Sequence, residues 1–228
     1  MKEVADGVWV ITAGVFPANS YIVRADVPGG AVLVDAGLDP QPIDEALARL
    51  ALKPAHLFCT HGHFDHIGSA NHFQERYGIP VHLHAADLKI AKANNFILMA
   101  MKLDVRITLP AFTLVEDGAA FELGGARASL RHTPGHTPGS CVVTVGADLF
   151  TGDTLFARGI GLSKLPGEQP ERLRESVQHM WEMLNDYLVH PGHGPSAPGE
   201  AVKSGNHALR AFLGLEPSNA TNQASHGF

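Results

Sequence analysis

The chain has 228 residues, 45 % of them hydrophobic, with 24 Gly and 15 Pro. That composition describes a compact, turn-rich globular protein and excludes a disordered chain. The formal net charge is −6 at pH 7 and Lys and Arg form no cluster, which argues against nucleic acid as a partner. The opening MKEVADGVWVITAG has no signal-peptide core, and no run reaches the roughly 18 apolar residues of a membrane span. A cytoplasmic protein with no membrane partner is expected.

Three apolar runs, Val8 to Ile11, Tyr21 to Val23 and Ala31 to Val34, are split by turn residues and read as strands of one sheet. DPQPIDEALARLAL reads as a helix that Asp39 can cap, with Ile43, Ala46, Leu47 and Leu50 on its apolar face. Leu57-Phe58-Cys59 is a short buried strand that runs into THGHFDHIG. In SANHFQERYGIP, Ala70, Phe73 and Tyr77 share a helical face, and Gly78 and Pro80 stop it. VHLH at 81–84 reads as a strand and 85–103 as mostly helix. Residues 112–152 alternate, with hairpin turns at Gly124-Gly125 and Gly146-Ala147-Asp148. Pro170 opens a helix with Leu173, Val177, Met180, Trp181 and Leu184 on one side. DYLVHPGHG returns to strand, and 200–213 reads as a helix. From Glu216 the chain lacks core residues, so residues 1–215 are expected to form one domain and 216–228 a mobile tail. Interleaved strands and helices place the fold in the α/β class. Cys59 and Cys141 lie in apolar runs and read as buried thiols rather than a disulfide.

THGHFDHIG crowds His61, His63, Asp65 and His66 together. Neutral imidazole with a carboxylate companion is a common metal-ligand set. In an extended strand His61, His63 and Asp65 share parity and point one way; His66 joins them only if the chain coils there. Three later segments end alike, each an apolar run and a glycine-bearing turn, at His136, Asp153 and His193. In layered α/β folds ligands collect beyond the strand ends. These seven residues are too many for one ion with an open position and suit two ions sharing a bridging carboxylate. His56, His72, His179, His207 and His226 read as ordinary surface or capping residues. His84, His132 and His190 neighbour the ligand segments and are evenly balanced between supporting them and not.

With TPGHTPGS, FTGDTLF and PGHGP following in order, THGHFDHIG resembles the metallo-β-lactamase-fold hydrolases, and among them the short glyoxalase II-like members. The resemblance implies a four-layer αββα metallo-β-lactamase sandwich of two similar halves with the metals on one edge. It implies that His61, His63 and His136 hold one ion, that Asp65, His66 and His193 hold the other, and that Asp153 bridges them. Asp35, in LVDAG, would support the site from behind. Asp65 and His66 are also the residues expected to take part in the chemistry. Zinc is the expected metal, with iron or manganese compatible with the same donors.

The chemistry then expected is hydrolysis of a small-molecule thioester or ester by a metal-bridging hydroxide. An acyl-homoserine-type lactonase is the first alternative. A mononuclear iron persulfide dioxygenase using only His61, His136 and Asp153 is the second. Glyoxalase II-like relatives carry a G-R-x-D-L-P-G stretch; here GIGLSKLPGE puts Leu162 at the Arg position and Lys164 at the Asp position, which argues against glutathione thioesters. Arg158 and Lys164 are the basic residues that could meet an anionic substrate. The segment NNFILMAMKLDVRITLPAF carries more apolar bulk than a connection needs. Phe96, Ile97, Leu98, Met99 and Met101 either pack on the sandwich, the simpler reading, or wall an apolar pocket over the metals.

Overall fold

The computed structural model describes residues 1–162, 165 and 167–215. Lys164, with its neighbours Ser163 and Pro166, and the tail 216–228 expected to be mobile lie outside the described residues. In chain order, β1 (Lys2–Ala5), β2 (Val8–Ala13), β3 (Ala18–Arg24) and β4 (Gly30–Val34) form an antiparallel meander. Helix α1 (Gln41–Leu50) leads to β5 (Lys53–Phe58). Helices α2 (Phe64–Ile67) and α3 (Ala70–Tyr77) lead to β6 (Val81–His84). A 3₁₀ turn at Ala85–Asp87 and α4 (Leu88–Ala100) lead to β7 (Phe112–Val115). Strands β4 to β7 are parallel, as strands joined through helices can be. These seven strands lie in sequence order in the first sheet.

The second sheet begins with the hairpins β8 (Ala120–Leu123), β9 (Ala126–His132), β10 (Cys141–Val145) and β11 (Asp148–Gly152). Helix α5 (Pro170–Met180) crosses over to β12 (Leu188–Pro191), which pairs parallel to β11, and β13 (Ala197–Pro198) closes the edge. Helices α6 (Gly199–Gly205) and α7 (His207–Phe212) follow.

Side-chain alternation turns these elements into layers. On the first sheet Val23, Val32 and Val34 point inward, where they meet Leu130, Val143 and Phe150 of the second sheet in one buried cluster. Their neighbours Ile22 and Leu33 point outward and pack with Ile43 and Leu47 of α1 and Phe73 of α3. On the second sheet Val142, Leu149 and Val189 point outward against Leu173, Val177, Val202 and Leu209 of α5, α6 and α7. Three cores between four layers make the αββα sandwich expected from the sequence. Each fully buried Leu or Phe contributes about 1.5–3 kcal/mol relative to exposure.

Several elements depart from the sequence reading. Strand β1, KEVA, was not anticipated, because its outer residues are polar and edge pairing supplies what patterning does not. The alternating segment at 112–115 joins the first sheet as β7 rather than the antiparallel hairpins. Asp39 accepts the Gln41 N–H at 3.1 Å, but Pro40 occupies the cap position of α1. Leu184 lies in a 3₁₀ turn, Met183–Asp186, beyond the end of α5. The long helix expected over 200–213 is broken at Asn206. Its Oδ1 accepts from Leu209 N and from Gly159 N, both at 3.1 Å, and its Nδ2 donates to Gly159 O at 2.8 Å and Phe156 O at 3.1 Å. One buried amide thus caps α7 and fixes the loop after Asp153. Asn206→Ala is expected to cost about 1–2 kcal/mol, or roughly 2–8 °C in Tm for a chain of this size, in thermal denaturation. Asn206→Asp keeps the cap acceptor but turns a carboxylate oxygen on Gly159 O and Phe156 O, so it should not recover the loss.

Candidate metal centre

The parallel strands put their C-terminal ends on one edge of the sandwich, and the sequence-expected residues follow those ends. Asp35 follows β4, the His61–His66 run follows β5, and Asp153 and His193 follow β11 and β12. His136 sits in the loop between β9 and β10. The chain does not continue extended through the run: His63 is the N-terminal cap of α2 and Asp65 lies in its first turn. The coil that His66 needs therefore begins two residues earlier than parity suggested. Main-chain bonds stitch the sheets together here, Cys141 N to Thr60 O and Asn19 N to Gly192 O, each 2.7 Å.

All seven side chains converge. Donor atoms of His61, His63 and His136 lie within 4.8 Å of one another, as do those of Asp65, His66 and His193, and those of His61, His66 and Asp153. His66 Nε2 is 3.5 Å from Asp153 Oδ1, and Asp153 Oδ2 is 3.6 Å from His136 Nε2 and 3.5 Å from His193 Nε2. His193 Nε2 is also 3.5 Å from Asp65 Oδ2. Two ligands of a tetrahedral ion with bonds of ~2.1 Å stand about 3.4 Å apart, so these spacings suit shared ions.

The ring orientations are set from outside. His66 Nδ1 meets Asp35 Oδ2 at 2.8 Å, His136 Nδ1 meets Gly161 O at 3.0 Å, and His193 Nδ1 meets Pro17 O at 3.3 Å. His61 Nδ1 lies 3.1 Å from Thr60 Oγ1, which donates to Asp35. With Nδ1 engaged on four rings, each turns Nε2 inward. Among the described residues His61 Nε2, His66 Nε2 and Asp153 Oδ1 are buried with no hydrogen-bond partner, as is His63 Nε2, while His63 Nδ1 faces His136 Nε2 at 3.0 Å. Buried polar atoms are normally satisfied. The orphans on His61, His66 and Asp153, grouped with His63 Nδ1 facing His136, fit divalent cations.

Electrostatics agree. Burial, then the neighbouring imidazoles, hold His61 well below the usual histidine range, and His63 falls to about 3 for the same causes. For His66 burial opposes charge, but Asp65, Asp153 and Asp35 outweigh it and raise the ring to about 10. His193 is likewise raised against burial by Asp65 and Asp153. Burial would raise Asp65, yet His66 and His193 hold its carboxyl below the usual range.

The loops come this close because glycine lets them. A Cβ on Gly192 would collide with the Asp153 carboxylate and approach His66 Cε1 to 2.7 Å. The sequence reading missed Asp87. Fully buried in the 3₁₀ turn after β6, it accepts from Gly62 N at 2.7 Å, Thr137 Oγ1 at 2.7 Å and Gly139 N at 2.6 Å. It thereby ties the His61/His63 loop to the His136 loop. Gly62 O accepts from Asn94 Nδ2 of α4 at 2.8 Å. The single glycines of THGHFD and TPGS, Gly62 and Gly139, whose N–H groups it accepts from, were the available signal.

The histidines left evenly balanced lie outside the cluster. His190 bonds Ser196 and Asp148 at 2.8 Å each, and His84 stacks on His132 with centroids 4.0 Å apart. His56 and His82 pair at 3.0 Å. Arg158 is exposed. The insert divides between its two readings: Leu98 is buried with Phe64 and Ile107, Phe96 and Met99 are exposed, and Met101 lines the cavity over the cluster. Cys59 and Cys141 are buried free thiols.

A two-sheet α/β sandwich whose strand ends gather five histidines and two aspartates defines a metal-dependent hydrolase. The family model of the metallo-beta-lactamase superfamily matches residues 13–193, and the chain belongs to that superfamily. It is 32 % identical over 203 residues to the probable metallo-hydrolase YqgX of Bacillus subtilis, covering 87 % of this chain and 95 % of YqgX. The crystal structure of TTHA1623 in a di-iron-bound form superposes with TM-score 0.79 at 30 % identity, covering 87 % of this chain and 98 % of that one. The BLEG-1 B3 metallo-beta-lactamase superposes with TM-score 0.80 at 30 % identity, covering 89 % and 99 %. Among the described residues no helix is long and apolar enough to cross a membrane.

Proposed function

We propose that the chain is a dinuclear metal hydrolase that cleaves thioesters or activated esters, glyoxalase II-like in its chemistry. The observation that carries this reading is the inward set of orphaned donor atoms with Asp153 reaching both triads. His61, His63 and His136 would hold one ion, Asp65, His66 and His193 the other, and Asp153 both. Zinc is the first expectation, and the iron of TTHA1623 keeps that metal in view. When bound, such ions supply hydroxide near neutral pH and positive charge for the developing oxyanion.

The chain's own part is positioning. Asp65, held ionised, accepts a hydrogen bond from the attacking water and aims its lone pair at the acyl carbon. The water oxygen bonds to that carbon, the carbon–sulfur bond breaks with its electron pair on sulfur, and water's proton ends on the thiol. Among the described residues the cavity offers no acid apart from the proposed metal ligands. A thiolate can leave without prior protonation, whereas an amine cannot, and thioesters are favoured on that ground.

In the metal-free site the carboxylates of Asp65, Asp153 and Asp35 favour a proton on His66. Metal loading at pH 7 should displace it. Proton release on loading, from His66 and in part from His193 and the bound water, is expected in weakly buffered solution with a pH indicator, and His66→Gln should reduce it. The functional test is metal quantitation with a panel of thioesters, acyl-homoserine lactones and, under oxygen, glutathione persulfide. Turnover of thioesters with two ions per chain supports the reading. Oxygen uptake with one iron per chain, or lactones as the sole substrates, overturns it.

A further inference from the structure

The cavity over the cluster has a volume of about 350 Å³, at the small end for ligand pockets. His63, Asp65, His136, Asp153 and His193 form its floor. Its walls are Phe16, Phe64, Met101, Phe156, Leu162 and Leu165. Phe16 and Phe64 meet edge to face with centroids 5.2 Å apart, and Phe64 is anchored from behind by Leu98. Phe156 meets the His193 ring edge to face at 6.0 Å. Met101, just past the end of α4 and 41 % exposed, is a flexible apolar side chain that can adapt to what enters. Among the described residues lining the cavity none is Lys or Arg, and a charged acyl tail laid against its phenyl rings and leucines would be desolvated.

Resting on the hydrolase reading, we propose that this cavity holds the acyl part of the substrate and selects neutral saturated acyl chains of medium length. The leaving thiol then faces solvent. The acyl carbonyl sits over the histidine and aspartate floor while its tail runs along Phe16, Phe64 and Met101. Leu162 and Phe156 close the opposite side.

The test uses the metal-loaded full chain with acetyl, butanoyl, hexanoyl, octanoyl and succinyl thioesters of one neutral thiol, so that only the acyl part varies. kcat/KM should rise about fourfold per methylene until the cavity fills, the factor equivalent to about 0.8 kcal/mol. Succinyl should fall at least tenfold below butanoyl. Met101→Glu, at a half-exposed position, should lower the hexanoyl-to-acetyl ratio at least tenfold, and Phe16→Ala should lower it as well. Hexanoate should bind more tightly than acetate in titration calorimetry, a readout independent of turnover. A flat chain-length series, or preference for succinyl, overturns the acyl pocket and leaves hydrolysis standing. Absence of turnover across the whole series overturns the hydrolase reading and this proposal with it.

Discussion

Asp153→Asn is expected to reduce kcat/KM by ~10³-fold or more while the protein stays folded. Asp153 is the residue whose two oxygens face members of both triads, Oδ1 toward His66 and Oδ2 toward His136 and His193. An amide keeps the shape that the tight contact with Gly192 demands, but it loses the charge and a donor oxygen. Charge stabilisation by bound metal contributes several kcal/mol, and each 1.4 kcal/mol is about tenfold in rate. Asp153 Oδ1 has no hydrogen-bond partner to lose, so the metal-free Tm should move by only a few degrees. Kinetics, metal analysis and thermal denaturation, run together, separate these effects. A variant that retains both full metal content and full turnover would end the bridging assignment.

Asp87→Ala should produce the largest loss of stability. The change strands three buried donors, Gly62 N, Gly139 N and Thr137 Oγ1. Each unsatisfied buried donor costs about 1–3 kcal/mol, and on the order of 3–5 kcal/mol in total is expected after relaxation. Urea unfolding of metal-free protein gives that figure. The same bonds register the His61/His63 loop against the His136 loop, so metal affinity should fall as well, on the scale of 10–100-fold seen for residues that orient ligands. Asp87→Asn, which retains an acceptor for one of the glycine N–H groups, should lose less of both. Unchanged stability in Asp87→Ala would show that water replaces the carboxylate.

What the sequence disclosed and what it withheld have physical reasons. Metal chemistry demands particular side chains at short spacing, so His61, His63, Asp65 and His66 announce themselves, and each remaining member follows an apolar run. The four layers came from the family resemblance; in the structure Ile22 beside Val23 and Val142 beside Val143 sort themselves to opposite faces. Asp87 was illegible because HAAD reads as a solvated helix start, and its partners lie 25, 50 and 52 residues away. Strand β1 was missed because edge strands are polar on their open side. The break at Asn206 was missed because the bonds that hold its amide in place, besides the local cap on Leu209, come from a loop 47 to 50 residues upstream.

The first sheet is drawn wholly from residues 2–115 and the second from residues 120–198. The earlier stretch supplies His61, His63, Asp65 and His66, and the later one His136, Asp153 and His193. A chain severed at Gly118 would give two fragments, neither with a complete donor set. Ion uptake would then depend on their reassociation, so a coloured metal such as cobalt could serve as an optical gauge of fragment complementation.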